Sequence, residues 1–129
     1  MKRSLQREND AAAILADKGY RVRQNPSPAE VAKARARTGD SGKPTSRPDY
    51  LLEGRVFDVY SPSATKDARG IGFEVGVKVS KLQTQRVVIN LQDWQGNVAD
   101  LQKQFRDWPI PGLKELKAIT RAGEIVQIL

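Results

Sequence analysis

A mixed α/β domain is the fold class this sequence predicts, and three observations predict it. Helix and strand signals alternate along the 129 residues rather than segregating into blocks. A Glu53-Gly54 turn joins two short runs of strand-forming residues. Arg86-Val87-Val88-Ile89-Asn90-Leu91 is a β-branched run too short to be read as a helix. The length suits one domain, 1–129, with a modest core.

Leu5 to Lys18 carries Ala11, Ala12, Ile14 and Leu15 behind the polar Ser4, and Gly19 supplies the stop of this first helix. Tyr20-Arg21-Val22-Arg23-Gln24 alternates like a short strand. Ser27-Pro28-Ala29-Glu30 is a capping-box pattern with proline at the first helical position. The helix it opens carries Lys33, Arg35 and Arg37 and ends near Gly39. Val31 is its only large apolar residue, so weak anchorage is expected. Asp40 to Arg47 is rich in Gly, Ser and Pro, and 25–47 as a whole reads as a flexible basic insert.

Asp49-Tyr50-Leu51-Leu52 and Arg55 to Tyr60 are the two arms of the hairpin. The next segment fits two patterns. Ile71, Phe73, Val75, Val77 and Val79 alternate like a strand, and Gly70, Gly72 and Gly76 each weaken a helix by about 1 kcal/mol. Ile71, Val75, Val79 and Leu82 also form one helical stripe. Ser61, Ser63 and Thr65 precede this segment and are read as its caps, with contact to an RNA backbone the other reading. Asn97 caps a short helix with Val98, Leu101 and Phe105 inward, ended by Pro109. Glu115–Thr120 and Ile125–Leu129 make a closing hairpin around Arg121-Ala122-Gly123-Glu124. Trp94 and Trp108, beside turns, read as packing residues.

Two absences restrict the chemistry. Without cysteine there are no disulfides, thiol nucleophiles, iron–sulfur clusters or cysteine zinc sites. Without histidine the usual general base and the commonest metal ligand are missing. Carboxylates, lysine, tyrosine, hydroxyls and amides remain, a donor set that suits a hard ion such as Mg²⁺ or Mn²⁺. No apolar run approaches the roughly 20 residues of a membrane-spanning helix. The basic start lacks an apolar segment behind it, so no signal peptide is expected and any export depends on sequence outside these residues.

The net charge is +7, and it is unevenly placed. Residues 1–48 hold 11 Lys/Arg against 5 Asp/Glu, whereas 49–129 hold 11 against 10. A basic first third points to a polyanionic partner, of which nucleic acid is the commonest; a solvated basic surface is the plainer alternative.

A two-residue turn fixes the hairpin register. Leu52 then faces Arg55, Leu51 faces Val56, Tyr50 faces Phe57, and Asp49 stands opposite Asp58. Cross-strand partners have Cβ atoms about 4.5–5.5 Å apart, and carboxylates at that separation repel unless a cation or a proton intervenes. Tyr60 lies on the same face. This is the geometry of a divalent-metal site, or else of a solvated hairpin end where repulsion costs little.

The order helix, strand, hairpin, helix, strand (αβββαβ), with Pro48-Asp49 on the second strand and Asp58-Val59-Tyr60 on the third, resembles the PD-(D/E)xK nuclease superfamily. Further blocks are similar to one group within it: Arg7-Glu8-Asn9-Asp10-Ala11-Ala12, Ala16-Asp17-Lys18-Gly19-Tyr20, Pro48 to Gly54, Phe57 to Pro62 and Arg86 to Leu91. That group is the tRNA-cleaving C-terminal toxin domains of bacterial contact-dependent growth-inhibition (CdiA-type) proteins. The resemblance implies an αβββαβ nuclease core with an extra C-terminal helix and hairpin, and it tips 66–82 towards helix. It implies that Asp49 and Asp58 hold the metal and that Glu8 is a further active-site acid. Tyr60 stands where the superfamily lysine belongs, and a phenol is neutral at pH 7. Lys78 or Lys81, on the following helix, is the replacement the resemblance suggests. Glu74, Lys78 and Lys81 would then share one face at i, i+4 and i+7.

Gln83 and Arg86 are candidate phosphate contacts by their amide and guanidinium chemistry, with ion pairing the alternative for Arg86. Lys33, Arg35, Arg37 and Lys81 complete the expected RNA-binding set. The function expected is a tRNA-cleaving endoribonuclease toxin using Mg²⁺ or Mn²⁺. It would be exported as the end of a larger surface protein, act in the target cytoplasm, and be blocked by an immunity protein with an acidic surface. A DNA endonuclease of the same fold, a non-catalytic RNA-binding module and a metal-independent ribonuclease are the rival readings.

Overall fold

The computed structural model describes residues 2–129; Met1, the first residue of the basic start, lies outside the described residues. Four helices and six strands follow in the order α1 (Arg3–Asp17), β1 (Val22–Gln24), α2 (Pro28–Thr38), β2 (Tyr50–Leu52), β3 (Arg55–Tyr60), α3 (Ala68–Ser80), β4 (Arg86–Asn90), α4 (Val98–Asp107), β5 (Glu115–Ile119) and β6 (Ile125–Gln127). The strands form one sheet in sequence order. β1, β2 and β3 run antiparallel, β3, β4 and β5 are parallel, and β6 returns antiparallel on β5. The mixed α/β class and the αβββαβ core with an added helix and hairpin are what the sequence predicts.

Alternation of side chains along the strands builds two large cores and a smaller one under α2. Phe57, Val88 and Ile119 join Tyr50, Leu52 and the Ala11, Ala12, Leu15 face of α1. Val87, Ile89, Leu116 and Ala118 meet Ile71 and Val75 of α3 and Leu101 and Phe105 of α4. Within 66–82 the helix is Ala68–Ser80: Ile71, Val75 and Val79 of the expected stripe are buried, and that burial outweighs the glycines. Leu82, the fourth member of the stripe, lies past the helix end and is 49% exposed. Asp67, not Ser61, Ser63 or Thr65, caps α3, its side chain accepting from Gly70 N. The expected packing role holds for buried Trp94, whose Nε1 donates to Lys66 O at 2.5 Å, but not for Trp108, which is 71% exposed.

The first helix starts two residues before the expected Leu5, and Ser4 is inside it rather than its cap. Arg3 bonds to Asp93 and to the carbonyls of Ser61 and Pro62, a tertiary tether that adds a half-turn with no capping side chain. The capping box at Ser27 and Glu30 is formed. α2 has more anchorage than its single large apolar residue implies: Val31 and Ala34 pack on Val56 and Leu51, and Arg35 is buried as well.

Candidate active site

The hairpin register places the acids. Tyr50 pairs with Phe57, Leu51 with Val56 and Leu52 with Arg55, because Glu53 and Gly54 both take positive φ, 51° and 74°, as a two-residue type I′ turn requires. One step beyond the ladder, Asp49 N donates to Asp58 Oδ1 at 3.0 Å, and Asp49 Oδ2 accepts from Val59 N at 2.8 Å. Each carboxylate thus grips the other strand, and the two acids are held side by side on the α3 face.

Asp58 is 1% exposed, and its second oxygen, Oδ2, has no hydrogen-bond partner. The nearest cation is Lys78, whose Nζ lies 3.6 Å from that oxygen, too far for a hydrogen bond. Burial and the neighbouring Asp49 charge push the Asp58 pKa up to about 6, with Lys78 pulling the other way. Burial also raises Asp49, against the Val59 hydrogen bond and Lys78. Glu8 is reached from the α1 side, where Tyr50 donates its hydroxyl proton to Glu8 O. Burial, then the charges of Asp49 and Asp58, lift Glu8 to about 7. Lys78 serves Asp49 and Asp58, Glu8 feels the charges of both acids, and Asp58 Oδ2 is left short of a bonded positive partner.

That shortage is a test of the expected metal. An ionised carboxylate oxygen that is buried and unpaired is costly, and a hard cation is a partner that oxygen lone pairs accept. The donors fit such an ion, although among the described residues no three acidic side chains already stand in a ligand-like cluster.

Tyr60 shares the face of Asp58 but packs against the α3 and α4 core, and burial raises its pKa, so it stays neutral. Lys78 is the cation brought to the acids. Lys81, the other candidate, is exposed at the C-cap of α3, and Glu74 pairs with Lys66 instead. Gln83 Nε2 hydrogen-bonds to Arg47 O at 3.2 Å.

Two of the expected phosphate contacts are engaged elsewhere. Arg86 lies between Asp40 and Glu115, at 2.8 and 2.6 Å, which is the ion-pairing alternative. Arg35 is 9% exposed and bonds to Lys43 O, Ser46 Oγ and Gln83 O. It shares the inner stripe of α2 with Val31 and Ala34, a spacing readable in the sequence that marks it as inward. Lys33 and Arg37 remain exposed, together with Arg55, which the sequence reading passed over. Arg37 lines a cleft of about 390 Å³ with Lys33 and another of about 280 Å³ with Arg55.

Residues 46–125 match the family model described as the contact-dependent growth inhibition CdiA C-terminal domain. The chain is 40% identical over 126 residues, 98% of its length, to tRNA nuclease CdiA-2 of Burkholderia pseudomallei (strain 1026b), and spans 4% of that protein. Its fold is similar to a chain of the CdiA-CT/CdiI toxin and immunity complex from Burkholderia pseudomallei. The TM-score is 0.80 at 38% identity, covering 97% of this chain and 83% of that one.

Proposed function

Because this chain belongs to the CdiA C-terminal domain family of contact-dependent growth inhibition, we propose that it is a toxin endoribonuclease that cleaves tRNA. The observation that carries the reading is the orphaned Oδ2 of Asp58 beside Asp49, Glu8 and Lys78, in a chain 40% identical to a tRNA nuclease. Asp49 and Asp58 would hold one Mg²⁺ or Mn²⁺. Such an ion, when bound, neutralises phosphate charge and lowers the pKa of bound water.

The chain's own residues supply the rest. Lys78 Nζ offsets the charge that builds on the scissile phosphate and replaces the superfamily lysine missing at Tyr60. Glu8, with a pKa of about 7, is matched at neutral pH to take a proton from the attacking water or ribose hydroxyl. The Tyr60 hydroxyl stays protonated, so it can offer a hydrogen bond but is no general base at neutral pH. Lys33, Arg37, Arg55 and Lys81 are exposed cations suited to the RNA backbone, with Gln83 at the rim of the site. The domain would be delivered as the C-terminal end of a larger surface protein and act in the target cytoplasm. A cognate immunity protein with an acidic surface would hold it inactive in the producer; the fold neighbour is a toxin and immunity complex.

Incubating the purified domain with total tRNA and with plasmid DNA, each with Mg²⁺, Mn²⁺ or EDTA, tests the reading. Cleavage of tRNA alone, lost in EDTA, is expected. Cleavage of DNA alone would replace the RNA substrate, and tRNA cleavage that persists in EDTA would remove the metal. Binding of tRNA without cleavage would leave an RNA-binding module.

A further inference from the structure

We propose that Arg35 is a positioning residue for this centre: its guanidinium ties the loop that leads into Asp49 to the turn that follows Lys78, and so sets the spacing across the site. The inference rests on the nuclease reading above. Arg35 donates from Nη1 to Lys43 O at 3.0 Å and from Nη2 to Ser46 Oγ at 3.2 Å and Gln83 O at 3.0 Å. Two of these acceptors are in the 40–48 loop and the third is in the turn between α3 and β4. The same seam is closed by Lys43 N on Leu82 O at 2.9 Å and by Gln83 Nε2 on Arg47 O at 3.2 Å. Gln83 N in turn bonds to the carbonyl of Lys78 at 3.1 Å. Arg47 is two residues from Asp49, so the seam that Arg35 closes joins the segment leading to Asp49 with the one leading from Lys78.

Packing alone does not account for this side chain. It is a buried cation with no carboxylate at ion-pair distance among the described residues, and its Nε has no partner. Burial lowers its pKa, with the charges of Asp40 and Asp58 opposing. The surroundings are shaped for it too: a Cβ on Gly42 would stand 2.3 Å from the guanidinium carbon. Arg35, with three donors committed and 9% exposed, cannot reach a phosphate.

Two variants test the tie. Arg35→Lys keeps the charge but not the planar fork, and Gly42→Ala pushes a methyl group into the guanidinium while leaving Arg35 in place. Both are expected to lower kcat for tRNA cleavage by roughly 10²-fold, the scale of a misplacement of about 1 Å. KM, tRNA affinity and its salt dependence should change less than about threefold. Amide exchange should rise in 41–46 and 82–84 while β3 and β4 stay protected.

Weaker tRNA binding at unchanged kcat would make Arg35 a phosphate contact and overturn the proposal. So would full kcat in both folded variants, or exchange that rises throughout β4. If Arg35→Lys does not fold, Gly42→Ala decides; if neither folds, the role is structural and the proposal falls. If the unmodified domain leaves tRNA intact, the nuclease reading fails, and the exchange pattern alone supports or overturns the tie.

Discussion

Two clusters of buried charge lie next to each other in the sheet and obey opposite rules. Arg86 immediately precedes Val87, the partner of Asp58 in the register of β3 and β4. Around Arg86 every acidic oxygen has a donor. Asp40 takes Arg86 on both oxygens and Lys114 on one, and Glu115 takes Arg86 on Oε1 and Lys117 and Gln127 on Oε2. Burial works to raise Asp40 and Glu115, and these partners more than offset it, so both acids titrate below their usual range. Around Asp58 the balance is reversed: burial and mutual repulsion win, and one oxygen is left orphaned. A satisfied network has no capacity left for a ligand, whereas an unsatisfied one is poised to take a cation or a proton.

The largest effect should come from breaking the satisfied cluster. Arg86→Ala leaves Asp40 and Glu115 buried without their shared partner, which costs about 3–5 kcal/mol when a buried pair loses one member. Urea titration should show that loss, while the folded fraction still cleaves tRNA. A cost below about 1 kcal/mol would put Arg86 among the surface ion pairs and erase the contrast.

Breaking the unsatisfied cluster should do the reverse. Asp58→Asn keeps an oxygen to accept Asp49 N and removes one charge, so cleavage should fall by roughly 10²–10³-fold, the scale of losing a preorganised electrostatic contact. Stability in EDTA should stay level or rise, because the repulsion with Asp49 is relieved. Destabilisation by several kcal/mol, or retained cleavage, would make the pair structural. The same two measurements apply to Asp49→Asn.

The hairpin explains why one cluster was legible in the sequence and the other was not. A two-residue turn dictates register by counting, so Asp49 opposite Asp58 follows from Glu53-Gly54 alone. Glu8 and Lys78 needed the family resemblance, since nothing in local spacing carries α1 or α3 to the hairpin. The Arg86 network joins residues 40, 86, 114 and 115 from separate elements, and no periodicity encodes such contacts. Residues 66–82 were ambiguous because a β-branched, glycine-dotted run satisfies both periods, and burial under α4 decides for helix. Trp108 misled because an aromatic beside a turn is usually packed, and here the chain leaves it in solvent.

Acid–base titration sharpens the contrast by sign. Asp58 and Glu8 titrate at about 6 and about 7 when folded, against 3.8 and 4.5 for ordinary groups. The folded state therefore holds protons that the unfolded chain has lost, and the stability from these two groups is full below pH 4 and fades through pH 6–7. Asp40 and Glu115 are lowered when folded, so their stability is full above about pH 4.5 and lost in more acid solution. In EDTA, Asp58→Asn combined with Glu8→Gln should gain stability relative to the parent as pH rises from 5 to 8. The Asp58 share is on the order of 2–3 kcal/mol at most. Mg²⁺ should shrink that difference. A difference flat across this range would mean the acids are relieved by a neighbour and are not short of positive charge.

The smallest effect lies outside both clusters, on α2, where one helix carries charges of two kinds. Arg35 faces inward with its donors committed, whereas Lys33 and Arg37 are exposed. Lys33→Ala with Arg37→Ala should leave stability within about 0.5 kcal/mol, as exposed substitutions usually do. The bond from Arg37 to Gly54 O is lost, but that carbonyl can turn to water. Binding of tRNA should weaken, and the slope of log affinity against log salt should flatten by roughly 0.7–0.9 per phosphate contact removed, because fewer counterions are released. The cleavage rate at saturating tRNA should be kept, since neither side chain touches the acids. An unchanged slope would make the outer face of α2 ordinary solvated surface. A flatter slope with unchanged kcat separates the charges that hold the substrate from the buried ones that act on it.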